Sequence, residues 1–214
     1  MKPKFLFSLL FFCSCLALQA QDQYLVEAKS VSSVFMAEGL TKAQIQQRIG
    51  RWMGDEERAE VYTIVTNDPN AGSMTATERS EVYYKNIGKQ MYPKRSGMAE
   101  LLTGTFNYLI AIGVEDGSYM VKYTLTSMEK EMYGKDEEFF DCVNFEELDP
   151  EALEAYNKAM IKLLKMNVVL KGKRQIFLDN SAAQFEEVSN NIMSAIMANM
   201  GYMHQAVINP EFSQ

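Results

Sequence analysis

Acid–base or nucleophilic chemistry at neutral pH needs a small set of side chains, and this chain is short of them. It has one histidine, His204, ten residues from the C-terminus, where fraying is the ordinary expectation. Its three cysteines are Cys13, Cys15 and Cys142. A Cys142/His204 pair would satisfy the nucleophile-and-base requirement by type, but nothing in the spacing brings the two together. Zinc would have to be held mostly by carboxylates, so no metal or other cofactor is expected. Cys142 reads as a buried small apolar residue.

Carboxylates alone can hydrolyse glycosides, which draws notice to Asp136, Glu137, Glu138, Asp141, Glu146, Glu147 and Asp149. That chemistry needs two groups facing each other across a cleft with their pKa values driven apart. A clustered run does not supply it, and the order of a calcium loop is missing as well. The stretch reads as a solvated connector pinned by Phe139 and Phe140. The basic cluster Lys162, Lys165, Lys171, Lys173 and Arg174 reads as a dipole-complementing helix end and a charged turn. Gly97 to Gly104 lacks the Lys-Ser/Thr ending of a phosphate loop. One ambiguous feature remains: Met193 and Met197 sit one step round from an apolar helical stripe, where methionine serves either as gap filler or as an adaptable partner surface.

The elements that would position these residues begin after an export signal. Lys2 and Lys4, the apolar run Phe5 to Leu18 and the small-residue end Gln19-Ala20 form a signal peptide over residues 1 to 20. The run is 14 residues long, fewer than the ~20 needed to span a bilayer. Neither Cys13 nor Cys15 follows the tripeptide that lipidation requires. Cleavage before Gln21 leaves 194 of the 214 residues and takes the formal charge from −7 to −9. That acidity argues against nucleic acid or an anionic membrane as the main partner. Cys142, left alone, cannot make an internal disulfide.

Tyr24 to Ala37 reads as an opening strand. Leu40-Thr41-Lys42-Ala43-Gln44-Ile45 then carries a capping box, and Ile45, Ile49, Trp52 and Met53 share one helical face. Glu60 to Thr66 is a strand, Asn67 to Gly72 a turn and Met74 to Lys85 a strand. Phe106 to Val114 alternates, Asp116-Gly117 turns, and Tyr119 to Leu125 alternates back. A two-residue turn there pairs Val114 with Tyr119, Ile112 with Val121, Ile110 with Tyr123 and Tyr108 with Leu125, all on one face. Two helices are expected to cover that face. One starts at Asp149-Pro150 with the stripe Leu153, Tyr156, Met160, Leu163 and Leu164; the other starts near Asp179 to Ser181 and carries Phe185, Val188, Ile192, Ile196 and Met200. Val168 to Leu170 and Ile176 to Leu178 read as a short hairpin around Lys171-Gly172. The fold class is α+β: an antiparallel sheet with a strand-helix-strand start, a central Asp-Gly hairpin and C-terminal helices on one face. Residues 21–148 are one such domain, and 149–214 a helical segment belonging to it.

In that order, the Gly39 to Trp52 helix and the hairpin YLIAIGVEDGSYMVKY from Tyr108 to Tyr123 resemble a family of exported proteins of Gram-negative bacteria. It is a domain-of-unknown-function family with a TATA-binding-protein-like fold. The resemblance covers Leu25 to Leu148 and implies shape alone, with no catalytic residue to carry over. The function expected is therefore a non-enzymatic binding or scaffolding module of the cell envelope. Its partner would be an envelope protein or a small apolar ligand, and the alternatives are a carboxylate-dependent hydrolase or a carrier of an apolar molecule held between sheet and C-terminal helix. Intact-mass analysis of the exported protein should find Gln21 at the N-terminus; a diacylated Cys15 would overturn the signal-peptide reading.

Overall fold

The computed structural model describes residues 23–129, 134–209 and 211. The signal-peptide reading, with Cys13, Cys15 and the cleavage point, lies outside the described residues. Six strands form one antiparallel sheet in the order β1-β2-β6-β5-β4-β3: β1 Leu25–Glu27, β2 Ser30–Met36, β3 Tyr62–Asp68, β4 Ser73–Lys85, β5 Leu101–Glu115 and β6 Ser118–Glu129. The helices are α1 Lys42–Met53, α2 Ile87–Met91, α3 Asp136–Cys142, α4 Pro150–Leu163 and α5 Arg174–Ile208. This is the α+β architecture the sequence implies.

The hairpin register is as the alternation requires, with Val114, Ile112, Ile110 and Tyr108 opposite Tyr119, Val121, Tyr123 and Leu125. Gly117 turns it at φ +78°, in the left-handed region that glycine occupies without cost. The turn is also tied to α1. Asp116 Oδ1 accepts from Lys42 N at 2.7 Å, which places a carboxylate on the first turn of that helix. The capping box is complete: the Thr41 side chain accepts from Gln44 N, and Thr41 N donates to Gln44 Oε1 at 2.9 Å. Gly72 allows a closer approach, because a Cβ there would lie 2.4 Å from the Val114 carbonyl oxygen.

One face of the sheet is apolar and α5 crosses it. Phe177, Phe185, Val188, Ile192, Ile196, Met200, Met203 and Val207 recur at helical spacing along α5 and are all buried. Where α3, α4, α5 and β4 meet, an aromatic cluster forms: Phe139 lies 4.8 Å from Phe185, 5.5 Å from Tyr84 and 5.9 Å from Tyr156. Lys29, on the turn between β1 and β2, reaches the end of α3. Its ammonium donates to the Phe140 and Val143 carbonyls, where a cation complements the helix dipole.

Several expectations are corrected. Tyr24 to Ala37 is two strands, because Ala28-Lys29 turns the chain; the broken alternation there is a hairpin rather than an irregular strand. The acidic stretch contains a helix, α3, whose first turn carries Asp136, Glu137 and Glu138 at the positive end of its dipole. The hairpin around Lys171-Gly172 is instead a 3-10 turn at Lys171–Lys173, and α5 begins at Arg174, ahead of Asp179. On α4, Leu163 is 45% exposed and Ile161 is buried in its place, since Met160 and Ile161 take the inward side of the last turn. His204 is not frayed. It sits inside α5, stacked on Phe35 at 4.9 Å, with Nδ1 3.2 Å from the Tyr119 hydroxyl.

Ile192 has no exposed surface, whereas Met197 is half-buried at the margin of the same stripe. Ile192→Ala should therefore cost about 2–4 kcal/mol, and Met197→Ala much less. Urea denaturation measures both; equal and large losses would make the whole helix ordinary core.

Candidate functional site

Two arrangements stand out: a polar cluster enclosed in the core, and an open cleft at the end of the molecule. The enclosed cluster centres on Glu78 of β4, which alternation places on the covered face between Ala76 and Ser80 and leaves 4% exposed. Asn199 Nδ2, from α5, donates to Glu78 Oε1 at 3.1 Å. The Tyr62 and Tyr123 hydroxyls and Ser80 lie close enough to favour the ionised carboxylate. Even so, Glu78 Oε2 and the Tyr123 hydroxyl make no well-formed hydrogen bond among the described residues. Burial dominates and pushes the Glu78 carboxyl from 4.5 up to about 7. Burial likewise drives the Tyr62, Tyr108 and Tyr123 phenols upward, so all three are neutral donors. The carboxyl is closed in by its own core, and a general acid must reach the proton it transfers.

The cleft lies between α4 and the start of α5. Helix α4 starts on the Asp149 cap, whose Oδ1 accepts from Glu151 N at 2.9 Å, with Pro150 at its first position. It stops where Lys165 adopts φ 50° and reverses the chain. The turn and the 3-10 segment bring α5 back alongside. The space left between the two helices is about 580 Å³. Leu153, Ile161 and Leu178 give it an apolar floor, and Lys158, Lys162 and Arg174 stand at its mouth with Glu154 and Asn167.

The other residues singled out from sequence are scattered. Cys142 is buried beside Lys29, and burial pushes its thiol up to about 12, the reverse of an activated nucleophile. His204 has Phe35 and Tyr119 as neighbours, so the two do not share a site. Glu146, Glu147 and Glu186 edge a separate hollow of about 270 Å³. Among the described residues, no three His, Cys, Asp or Glu side chains converge as metal ligands would. Met193 and Met197 pack half-buried against the core, with the Met197 carbonyl accepting from the Tyr24 hydroxyl at 3.4 Å. The basic cluster divides. Lys162 lies in the last turn of α4, where it complements the dipole, whereas Lys171, Lys173 and Arg174 lie at the start of α5, where a cation opposes it. Sequence reasoning missed Glu78 and the cleft. Glu78 carried one signal, an acid at a core-facing position of an alternating strand; the cleft carried none, since it depends on where α5 returns.

No family model matches the sequence, and no curated protein matches it. Solved structures similar to this chain include two. One is a DUF4468 family protein from Bacteroides ovatus, 20% identical, with 52% of this chain and 60% of that one covered and a TM-score of 0.38. The other is a TBP-like protein from Parabacteroides distasonis, 11% identical, with 84% and 92% covered and a TM-score of 0.48. This chain thus spans 60% of the DUF4468 protein's length. Among the described residues, no helix is long and apolar enough to cross a membrane.

The raised pKa of Glu78 makes stability depend on pH in a stated direction. The folded state holds the proton more tightly than the unfolded chain, so stability is full below the unfolded pKa near 4.5 and falls as pH rises to about 7. The loss should amount to a few kcal/mol at most, given ~1.4 kcal/mol per unit. Urea midpoints measured from pH 5 to 8 should decline for the natural protein and decline less for Glu78→Gln. Parallel curves would show that Glu78 is ionised throughout.

Proposed function

We propose that this is an exported, non-enzymatic binding protein of the cell envelope that holds a small amphipathic molecule in the α4–α5 cleft. The observation that supports this reading is the cleft itself, which joins an apolar floor to a cationic mouth. Its volume, about 580 Å³, lies within the range of small-molecule sites. Among the described residues, Lys158, Lys162 and Arg174 form no ion pair with a protein carboxylate, and Glu154 is the one acid lining the cleft. The ligand this favours has an apolar body and an anionic end. An apolar carrier with its cargo between sheet and α5 is disfavoured, because that space is filled by Phe106, Tyr123, Phe185 and Ile192. A hydrolase reading draws less support, since Glu78 is shut inside the core. Export rests on the apolar N-terminal run behind Lys2 and Lys4.

Decanoate should raise the thermal midpoint of the chain from Gln21 onward, and decylamine should not. Leu178→Trp, which fills the cleft, should abolish the effect, and native mass spectrometry of protein from its producing cells should show a bound small molecule. An equal response to both amphiphiles would reject the anionic end; no response and no bound molecule would reject the cleft.

A further inference from the structure

The cleft borders a turn, residues 165–171, of which Asn167 alone lines it, while Lys162 and Arg174 stand at the edge of both. Between Glu154 and Asp179 the chain has no acidic residue, yet it carries Lys158, Lys162, Lys165, Lys171, Lys173 and Arg174. In a protein of formal charge −7 this is a strong local segregation of charge. The turn inside that stretch is apolar at its tip. Val168 is 83% exposed and Val169 69%, the two most exposed large apolar side chains among the described residues, and Leu163 lies exposed nearby. Val168 N and Val169 N both donate to the Lys165 carbonyl, so the tip is a hydrogen-bonded turn that holds the two valines side by side. Lys162, Lys165, Lys171 and Arg174 are exposed around it, while the Lys173 ammonium is engaged over the Tyr92 ring at 5.1 Å.

We infer that this turn is a docking tip for an anionic lipid surface, with Val168 and Val169 entering the headgroup boundary and Lys162, Lys165, Lys171 and Arg174 facing the lipid phosphates. Among the described residues nothing covers these two valines, and water is a poor partner for them. Each lysine or arginine near an anionic bilayer adds attraction, and an apolar insertion combined with a group of cations makes the pair of signals that reversible anchoring needs. The net negative charge opposes the approach of the molecule as a whole, so it orients the protein with this end toward the membrane. A protein partner would meet the same valines, but the ring of cations with no intervening acid fits a continuous anionic surface.

The test is sedimentation of the chain from Gln21 onward, used because the apolar run at residues 5–18 would bind lipid by itself. Vesicles of phosphatidylcholine with 30% phosphatidylglycerol should carry the protein down, and pure phosphatidylcholine vesicles should bind at least tenfold less. Binding should fall at 0.5 M salt, as Debye screening requires. Val168→Ser with Val169→Ser, and separately Lys165→Glu with Lys171→Glu, should each reduce partitioning at least tenfold without altering the thermal midpoint, because all four side chains are exposed. Equal binding to both vesicle types, no binding to either, or unchanged binding by both double variants would overturn the inference. So would a dimer that the valine variants dissociate, which would assign the tip to a second copy. Decanoate binding in the cleft should survive the valine substitutions, so this inference and the cleft reading fail on different measurements.

Discussion

A sheet with one apolar face must have that face covered, and here a single 35-residue helix covers it. At 1.5 Å per residue α5 is about 50 Å long, enough to run from the aromatic cluster beside α3 and α4 to the hairpin end beside Phe35 and Tyr119. Burial of its stripe is the dominant favourable term, because the hydrophobic gain scales with area and this is the long interface of the molecule. Helix α1 covers the flank: Ile45, Ile49 and Trp52 are buried, and Arg48 Nη1 donates to the Val207 carbonyl at 2.5 Å near the end of α5.

An apolar interface resists sliding weakly, and polar groups set its register. Three amides on α5 donate to β4 in order: Gln184 to the Lys85 carbonyl at 2.9 Å, Asn191 to the Tyr83 carbonyl at 3.0 Å and Asn199 to the Glu78 carboxyl at 3.1 Å. As the helix numbers rise the strand numbers fall, so α5 runs antiparallel to β4. A slip of one turn would take the Gln184 and Asn199 donors away from these acceptors, and each buried group left unpaired costs on the order of 1–3 kcal/mol; Asn191 is exposed and would turn to water. Glu78 thus acts as a register pin, and its raised pKa follows from burial, which outweighs the opposite pull of the neighbouring phenols.

The same helix positions the cleft. Because α5 is long, its first turns extend to α4, and the aromatic contacts of Tyr156 with Phe185 and Phe177 fasten α4 in place. Cations gather at the start of α5, where the helix dipole is also positive and none of the first-turn residues is acidic. That end is electrostatically incomplete as it stands, whereas the acid-rich first turn of α3 is compensated within its own helix. The proposed anion binding at the mouth of the cleft and the proposed lipid contact at the adjacent turn both rest on that asymmetry.

Local chemistry made part of this legible from residues alone. The Thr41–Gln44 capping box, the Asp149-Pro150 start and the Asp116-Gly117 turn each depend on a few neighbouring residues, and alternation on both sides of a two-residue turn leaves one register that puts all eight side chains on one face. The core positions of α5 followed from period alone. Other features had no local signature. Lys29 broke an apparent strand because its ammonium caps α3, more than a hundred residues away in sequence. Leu163 left its stripe because the side of the last turn that packs inward is taken by Met160 and Ile161, and Arg174 looked like part of a charged turn until α5 returned beside α4 and set it at the mouth of a cleft with Lys158 and Lys162. Sequence by itself determined the capped starts of α1 and α4, the central hairpin with its inner face, the buried stripe of α5 and the acid-free basic stretch, since these are set by bonds and periods spanning a few residues. Tertiary structure decided which charge is buried, where the cavity lies and which apolar side chains stay in water, because each depends on surfaces brought together from distant parts of the chain.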